Sequence, residues 1–166
     1  MMSKKIAPWL LLLIGAVAGF FLYNKYRVAP DIHLPELSLR TLSGEPVSLN
    51  DYKGKALFVS YWATWCPDCL KEMPTVERAA LQSDTSSMVF VMISDESPER
   101  INAYLAKHNY PMVFLRTDQR LQELGINSIP TTYVYDKQHA EVLNRVGGAT
   151  WDDPAMINIL KQVMEK

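Results

Sequence analysis

Cysteine is scarce in this sequence, and basic residues are not in excess. Only Cys66 and Cys69 occur among 166 residues, too few for a mini-protein held by several disulfides or for a four-cysteine zinc site. Lysine and arginine number 17 against 18 acidic residues, so no basic surface of the kind that binds nucleic acid is expected. Because 48% of the residues are hydrophobic and 21% are charged, the chain can form one folded domain rather than a disordered segment.

Charge is absent altogether from the 18 residues between positions 6 and 23. Such a run is long enough to cross the apolar core of a bilayer, and Trp9 and Tyr23 near its ends are typical of a membrane interface. A signal peptide cleaved near the small residues 16–18 is the alternative. The apolar run continues through residues 20–22, however, which favours an uncleaved anchor.

The chain is therefore expected to have four parts. Residues 1–5 form a basic cytoplasmic segment, 6–23 a transmembrane signal anchor, 24–35 a linker and 36–166 a soluble domain. Basic residues flank the apolar run on both sides, and the free amino terminus favours an N-terminus inside the cell. We expect a single-pass protein of the bacterial inner membrane whose soluble domain faces the periplasm.

The pattern of the soluble part alternates between strands and helices. Nearly continuous apolar runs at 56–62 and 88–93 are typical of strands buried on both faces. Helices are predicted at 67–81, 100–108, 118–124 and from 154 to about 165, and further strands at 113–115, 131–135 and 141–146. A glycine turn at 43–45 between short alternating runs predicts a hairpin before the first buried strand. This order predicts an α/β domain with a mixed sheet.

Cys66 and Cys69 lie three positions apart where the first buried strand meets the next helix. The N–H groups and the dipole of a helix N-terminus favour the thiolate of the first cysteine. The second sulfur, one turn further on, is placed to attack a mixed disulfide. We assign Cys66 as the nucleophile and Cys69 as the resolving thiol. A purely structural disulfide is disfavoured because so short a loop constrains the unfolded chain little.

A metal site is not expected, because the remaining candidate ligands are scattered. His33, His108 and His139 show no paired spacing with one another or with the cysteines. The acidic pair Asp95 and Glu96 follows the second buried strand, where the C-terminal ends of strands gather near the active face. A place near that face is the alternative, and a solvated loop is the prediction.

The segment 61–69, YWATWCPDC, resembles the active-site segment of thioredoxin-fold proteins, and most closely the membrane-anchored TlpA/ResA-like thiol-disulfide reductases. The similarity covers about residues 34–166. It implies a thioredoxin-like fold, with a mixed central sheet flanked by helices and an N-terminal β-hairpin extension. It also implies redox chemistry at a Cys66–Cys69 disulfide, without an organic cofactor or a metal.

The resemblance further implies a substrate-binding surface around the disulfide. In the family, the proline that matches Pro130 is cis and lies against the disulfide. The backbone of Ile129 is then offered to an extended substrate chain in strand-like pairing. Trp65, Pro67 and Thr131 complete the expected surface.

Glu72 is the third candidate catalytic residue. It matches a family glutamate three positions after the second cysteine, whereas Ser60 stands where thioredoxins proper have a buried aspartate. Residues three apart on a helix share a face, so Glu72 should lie beside Cys69. If it is partly buried, its carboxyl group can take and return a proton during exchange. The alternative is a solvated glutamate paired with Lys71.

These expectations combine into a membrane-tethered periplasmic reductase of protein disulfides. A membrane thiol electron donor would re-reduce it, and cytochrome c maturation or periplasmic stress and metal tolerance are candidate roles. An oxidase or isomerase of the same fold is the enzymatic alternative, and a metal chaperone the non-enzymatic one. Peroxidase chemistry is disfavoured because the Pro-x-x-x-Thr-x-x-Cys setting of peroxiredoxins is missing.

Overall fold

The computed structural model describes residues 8–165. Its first element is the helix α1, Pro8–Arg27, whose apolar side chains are exposed from Trp9 onward. By length and composition Trp9–Arg27 can cross a membrane, with none of the span buried in the protein. The helix extends past the predicted boundary at residue 23 to Arg27. The predicted segment 1–5 and the start of the predicted anchor, residues 6 and 7, lie outside the described residues.

The remaining elements alternate much as the apolar pattern predicts, and residues 67–81, 131–135 and 141–146 match their predicted bounds. The helix at 67–81 runs through Pro74 without a break. The elements are β1 Leu39–Thr41, β2 Pro46–Val47, β3 Ala56–Tyr61, α2 Pro67–Leu81, β4 Met88–Ser94, α3 Pro98–Leu105, β5 Val113–Thr117, β6 Thr131–Tyr135, β7 Glu141–Val146 and α4 Pro154–Glu165.

The seven strands form one mixed sheet in the order β2-β1-β5-β4-β3-β6-β7. Strand β3 pairs in parallel with β4 and antiparallel with β6, and β4 pairs in parallel with β5. The predicted hairpin is β1–β2, which joins the sheet through antiparallel pairing of β1 with β5. The architecture is the predicted thioredoxin-like one, a mixed sheet flanked by helices with an N-terminal hairpin.

Strand β3 supplies side chains to both faces of the sheet, and all six of its residues are buried. Successive strand residues point to opposite faces, so Phe58 belongs to one core and Leu57 and Val59 to the other. The first core also contains both cysteines and Trp151. The active-site cysteines are therefore attached directly to the packed interior on one side of the sheet.

Part of the stretch assigned to a linker, residues 24–35, packs against the domain. The Tyr133 hydroxyl donates a hydrogen bond to the carbonyl oxygen of Pro30 at 2.6 Å. Leu34, which opens a 3₁₀ turn over Leu34–Glu36, is only 6% exposed. Only about two residues thus separate the end of α1 at Arg27 from the first fixed point on the domain.

The helix predicted at 118–124 is wrong, because this segment forms a series of turns. The Leu124 and Gly125 amides donate to carbonyls three residues earlier, those of Leu121 and Gln122. The Leu121 amide N–H donates a hydrogen bond to Oδ2 of Asp95 at 3.0 Å. A side chain from a distant loop therefore supplies a hydrogen bond that a regular helix would leave to water.

Candidate active site

Cys66 and Cys69 form a disulfide at the start of α2, with their Cα atoms 5.3 Å apart. Cys66 is the N-cap of the helix, and its sulfur accepts the Cys69 amide N–H at 3.2 Å. Pro67 follows as the first helical residue, where its missing N–H costs no hydrogen bond. Both sulfur-bearing residues are nearly buried, with 4% and 1% of their surface exposed.

The loop before β6 brings a second segment to the disulfide. The Ile129–Pro130 peptide bond is cis, as the resemblance implies, and the Cys66 sulfur lies 3.6 Å from the carbonyl oxygen of Ile129. Because β6 pairs with β3, Thr131 lies opposite Tyr61 at the end of the strand that leads to the cysteines. Sheet register thus places residues 63 positions apart in contact.

The five residues expected to bind substrate differ in exposure. Trp65 is 64% exposed and Pro67 is also exposed, whereas Ile129 is half-buried and Pro130 and Thr131 are buried. The Thr131 hydroxyl donates to the carbonyl of Ser128 at 2.7 Å. Trp65 and Pro67 therefore offer the most accessible surface of this set, and the binding roles remain predictions.

Glu72 is buried, with 4% of its surface exposed, which excludes the solvated alternative. Its Oε2 accepts the Ala149 amide N–H at 3.0 Å and the Trp151 indole N–H at 3.3 Å. Its Oε1 is buried without a hydrogen-bond partner. The side chain therefore joins α2 to the loop between β7 and α4.

Burial raises the pKa of Glu72 to about 7, although the hydrogen bonds from Ala149 and Trp151 and the charge of Arg145 act to lower it. The negative charge of Asp68 raises the pKa a little further. A carboxyl group that titrates near neutrality can both accept and donate a proton under ordinary conditions. The predicted proton role is thus chemically feasible at this position.

Comparison with known proteins identifies the group to which this arrangement belongs. A model of the AhpC/TSA family matches residues 27–140. The chain belongs to the AhpC/TSA family. It is 31% identical over 147 residues to the thioredoxin-like protein YneN of Bacillus subtilis, covering 83% of this chain and 86% of YneN. It is 30% identical over 136 residues to the thiol-disulfide oxidoreductase ResA of Geobacillus thermodenitrificans, covering 77% and 78%.

A solved thiol:disulfide interchange protein is similar to the chain in fold and sequence. The thiol:disulfide interchange protein of Chlorobium tepidum, a thioredoxin family protein, superposes with a TM-score of 0.60 at 26% identity, over 81% of this chain and 99% of its own. With the cysteine pair in place, this AhpC/TSA family member is a thiol-disulfide oxidoreductase of thioredoxin-like fold. The predicted resemblance to the ResA-like group and the predicted enzyme class are confirmed.

A cleft of about 550 Å³ borders Glu72 in this AhpC/TSA member. Lys71 and Asp68 line it from α2, and Arg145 and Gly148 from β7 and the loop after it. Charges of both signs thus surround the opening beside the buried carboxyl group. Among residues 8–165, no three His, Cys, Asp or Glu side chains lie close enough to hold a metal ion.

The prediction of a solvated loop at Asp95 and Glu96 is wrong, because Glu96 is only 8% exposed. Its Oε2 accepts the Thr64 amide N–H at 2.5 Å, and its Oε1 accepts the Thr64 hydroxyl at 2.8 Å. Glu96 lies just beyond the carboxyl end of β4, beside the end of β3 from which the active-site loop leaves. The only sequence signal for the contact between Glu96 and Thr64 was that each follows the end of a buried strand, and such ends gather at one edge of a sheet.

Ser60, the residue that replaces the buried aspartate of thioredoxins proper, is fully buried in β3. Its Oγ accepts a hydrogen bond from the Thr132 hydroxyl at 2.9 Å. A neutral hydroxyl pair therefore occupies this position. Among the described active-site residues, Glu72 is the buried acid with a pKa near neutrality.

Proposed function

We propose that the protein is a membrane-tethered reductase of protein disulfides whose catalytic domain faces the periplasm. The observation that carries the proposal is the Cys66–Cys69 disulfide at the N-terminus of α2, with the carbonyl of Ile129 3.6 Å from the Cys66 sulfur. A nucleophilic sulfur and a neighbouring backbone segment outside the paired strands, here the loop before β6, are what exchange with an extended protein chain requires.

The proposed reaction begins with the reduced pair. The Cys66 thiolate attacks one sulfur of a client disulfide, which forms a mixed disulfide and releases the other client sulfur as a thiolate. The Cys69 thiolate then attacks the Cys66 sulfur, which releases the second client sulfur and leaves the Cys66–Cys69 disulfide. The client gains two electrons, and with two protons it ends as a dithiol. A dithiol donor returns the two electrons to the protein in the same way.

The proposed client lies along the loop before β6. The Ile129 backbone pairs with an extended client segment, while Pro67, Pro130 and Thr131 shape the surface around the sulfur. Trp65, with 64% of its surface exposed, packs against the client on the other side. Glu72 exchanges a proton with the Cys69 sulfur as that group becomes a thiolate or a thiol.

The anchor supports the proposed location. Helix α1 is long and apolar enough to cross a membrane, and the domain packs against the chain from Pro30 onward. A solved relative, Etrx1 of Streptococcus pneumoniae, is described as an exposed lipoprotein thioredoxin. We propose a membrane thiol protein as the electron donor and no organic cofactor or metal. Cytochrome c maturation and periplasmic stress tolerance are the candidate roles.

The first test is the equilibrium reduction potential of Cys66–Cys69 in the full chain, measured against glutathione and dithiothreitol buffers. A value of about −250 mV supports an electron-donating reductase. A value of about −120 mV overturns the direction and identifies a disulfide donor.

The second test uses insulin as the probe disulfide. Cys69→Ser should accumulate a mixed disulfide with insulin through Cys66, whereas Cys66→Ser should form none. Peroxide consumption without insulin reduction would favour a peroxidase. Metal binding that blocks alkylation of both reduced cysteines would favour a metal chaperone.

The periplasmic orientation has its own test, which is labelling of the reduced cysteines by a membrane-impermeant maleimide in spheroplasts. Labelling that occurs only after lysis contradicts this orientation.

A further inference from the structure

The loop between β3 and α2, residues 62–66, carries Cys66 but has little hydrogen bonding of its own. The Trp62 amide donates to the carbonyl of Ile93, and the Cys66 amide donates to the carbonyl of Ala63. The only other hydrogen bonds from the loop's backbone amides and hydroxyl within residues 8–165 are the two that Thr64 makes to Glu96. A single carboxylate thus fixes the middle of this loop.

Glu96 is itself held firmly. Its amide donates to the hydroxyl of Ser94 at 3.2 Å, and that hydroxyl lies 3.5 Å from Glu96 Oε2. The guanidinium of Arg100 lies 3.7 Å from Oε1. Ser94 is the last residue of β4 and is fully buried. The carboxylate is therefore attached to the sheet rather than to a mobile loop.

We infer that Glu96 is a positioning residue for the exchange reaction, and that it acts through Thr64 to hold Cys66 at the N-terminus of α2. The inference rests on the proposed function, because it assigns a role in the reaction of that same sulfur. A hydrogen bond to a charged acceptor is stronger than one between neutral groups. Two such bonds to one residue fix both its backbone and its side chain.

The physical consequence concerns the Cys66 sulfur. In the held loop, the sulfur accepts the Cys69 amide at 3.2 Å and lies at the positive end of the helix dipole. If the loop shifts, the sulfur loses these interactions with its charged form, and the reacting atoms move out of line. Displacements of about 1 Å can lower a rate by about a hundredfold.

Thr64 provides the sharpest test, because its hydroxyl and its side-chain shape can be removed separately. Thr64→Ser keeps the hydroxyl, whereas Thr64→Val keeps the shape and the backbone N–H but removes the hydroxyl. We expect full-length Thr64→Val to reduce insulin with a turnover about tenfold lower and with little change in KM. Thr64→Ser should stay within about twofold of the unaltered protein. Alkylation of reduced Cys66 by iodoacetamide near neutral pH should slow in parallel.

Glu96→Gln tests the acceptor of the two hydrogen bonds, and it also removes a negative charge, whose effect on Cys66 has the opposite sign. Removal of a negative charge alone would favour the thiolate and speed alkylation, so slower alkylation identifies a geometric effect. Glu99→Gln is the matched control, because Glu99 is an exposed residue three positions further along and should behave as the unaltered protein. Arg100→Ala separates the ion pair from the two hydrogen bonds and should change turnover by less than about twofold.

The outcomes separate this inference from the proposed function. Failure of the unaltered protein to reduce insulin would defeat the proposed function, while Cys66 alkylation would still report the geometry of the loop. The positioning role is overturned if Thr64→Val alkylates and turns over like the unaltered protein, or if Thr64→Ser loses as much as Thr64→Val. If Glu96→Gln does not fold, the Thr64 pair decides the question.

Discussion

Trp151 donates its indole N–H to the carboxyl group of Glu72 across 3.3 Å. Glu72 lies on α2, three residues after Cys69, whereas Trp151 follows β7 and is fully buried. The Ala149 amide donates to the same oxygen at 3.0 Å. The acid three residues after the resolving cysteine is therefore oriented by donors that lie nearly 80 residues further along the chain, and its titration depends on them.

Replacement of Glu72 with glutamine should flatten the dependence of stability on pH. The pKa of Glu72 is raised from 4.5 to about 7 in the folded protein, so the folded state binds a proton that the unfolded state has released. Its contribution to stability is present below about pH 4.5 and is lost as the pH rises through about 7. The full effect is about 3 kcal/mol for a shift of this size.

The measurement is urea unfolding of the oxidised protein at about pH 5 and about pH 8. The unaltered protein should lose stability over this range relative to Glu72→Gln. Glu77→Gln, on the same helix, is the matched control and should keep the original dependence. Parallel pH profiles for all three proteins would show that Glu72 titrates normally.

Removal of the Trp151 indole N–H should raise the pKa of Glu72 further. This hydrogen bond lowers the pKa, because it stabilises the ionised carboxylate. Trp151→Phe retains an aromatic ring and removes the donor. The pKa can be followed by ¹³C NMR of the Glu72 side-chain carboxyl group in the oxidised protein.

Trp62→Phe is the control for this measurement. Trp62 is also fully buried, but its indole nitrogen has no hydrogen-bond partner. Its replacement should leave the Glu72 titration unchanged. Equal shifts in the two variants would mean that lost aromatic packing, rather than the hydrogen bond, controls the pKa.

Local sequence patterns predicted most of the fold. The nearly continuous apolar runs predicted β3 and β4, and a proline after Cys66 predicted where α2 begins. The position of the cysteine pair at a strand-to-helix junction indicated its chemistry. These features depend on residues close together in the chain, where periodicity and capping preferences apply.

Contacts between distant segments were not predictable in the same way. Glu96 and Thr64 lie 32 residues apart, and nothing in either segment alone shows that the carboxylate is buried. At the turn 121–125, which stands where a helix was predicted, the Leu121 amide N–H donates to the side chain of Asp95 from another loop. Hydrogen bonds of this kind follow from the order of strands in the sheet, which local periodicity does not encode.

Removal of the segment before residue 36 should destabilise the soluble domain. That segment contains Leu34, which is 6% exposed, and Pro30, whose carbonyl accepts the Tyr133 hydroxyl. Burial of a leucine side chain contributes about 1.5–3 kcal/mol, and the hydrogen bond about 1 kcal/mol more. A fragment 36–166 should therefore unfold with a free energy about 3 kcal/mol lower than a fragment 28–166.

Urea unfolding of the two fragments provides the measurement. Tyr133→Phe in the longer fragment isolates the hydrogen bond and should lower the free energy of unfolding by about 1 kcal/mol. Equal stability of the two fragments would mean that residues 28–35 form a free linker in solution.

Truncation of Trp65 should weaken reduction of protein disulfides without destabilising the fold. The side chain is 64% exposed, so its removal should change the free energy of unfolding by less than about 0.5 kcal/mol. An exposed tryptophan next to a reactive sulfur can bury its ring against a bound chain, and such residues often dominate binding energy. Trp65→Ala should lower kcat/KM for insulin about tenfold, a loss of about 1.4 kcal/mol.

Leu81→Ala, at the far end of α2 and 68% exposed, is the matched control and should leave kcat/KM unchanged. Reduction of glutathione disulfide, which is too small to cover the ring, should be nearly equal in the three proteins. An equal loss on both substrates would instead place the effect of Trp65 on the reactivity of Cys66.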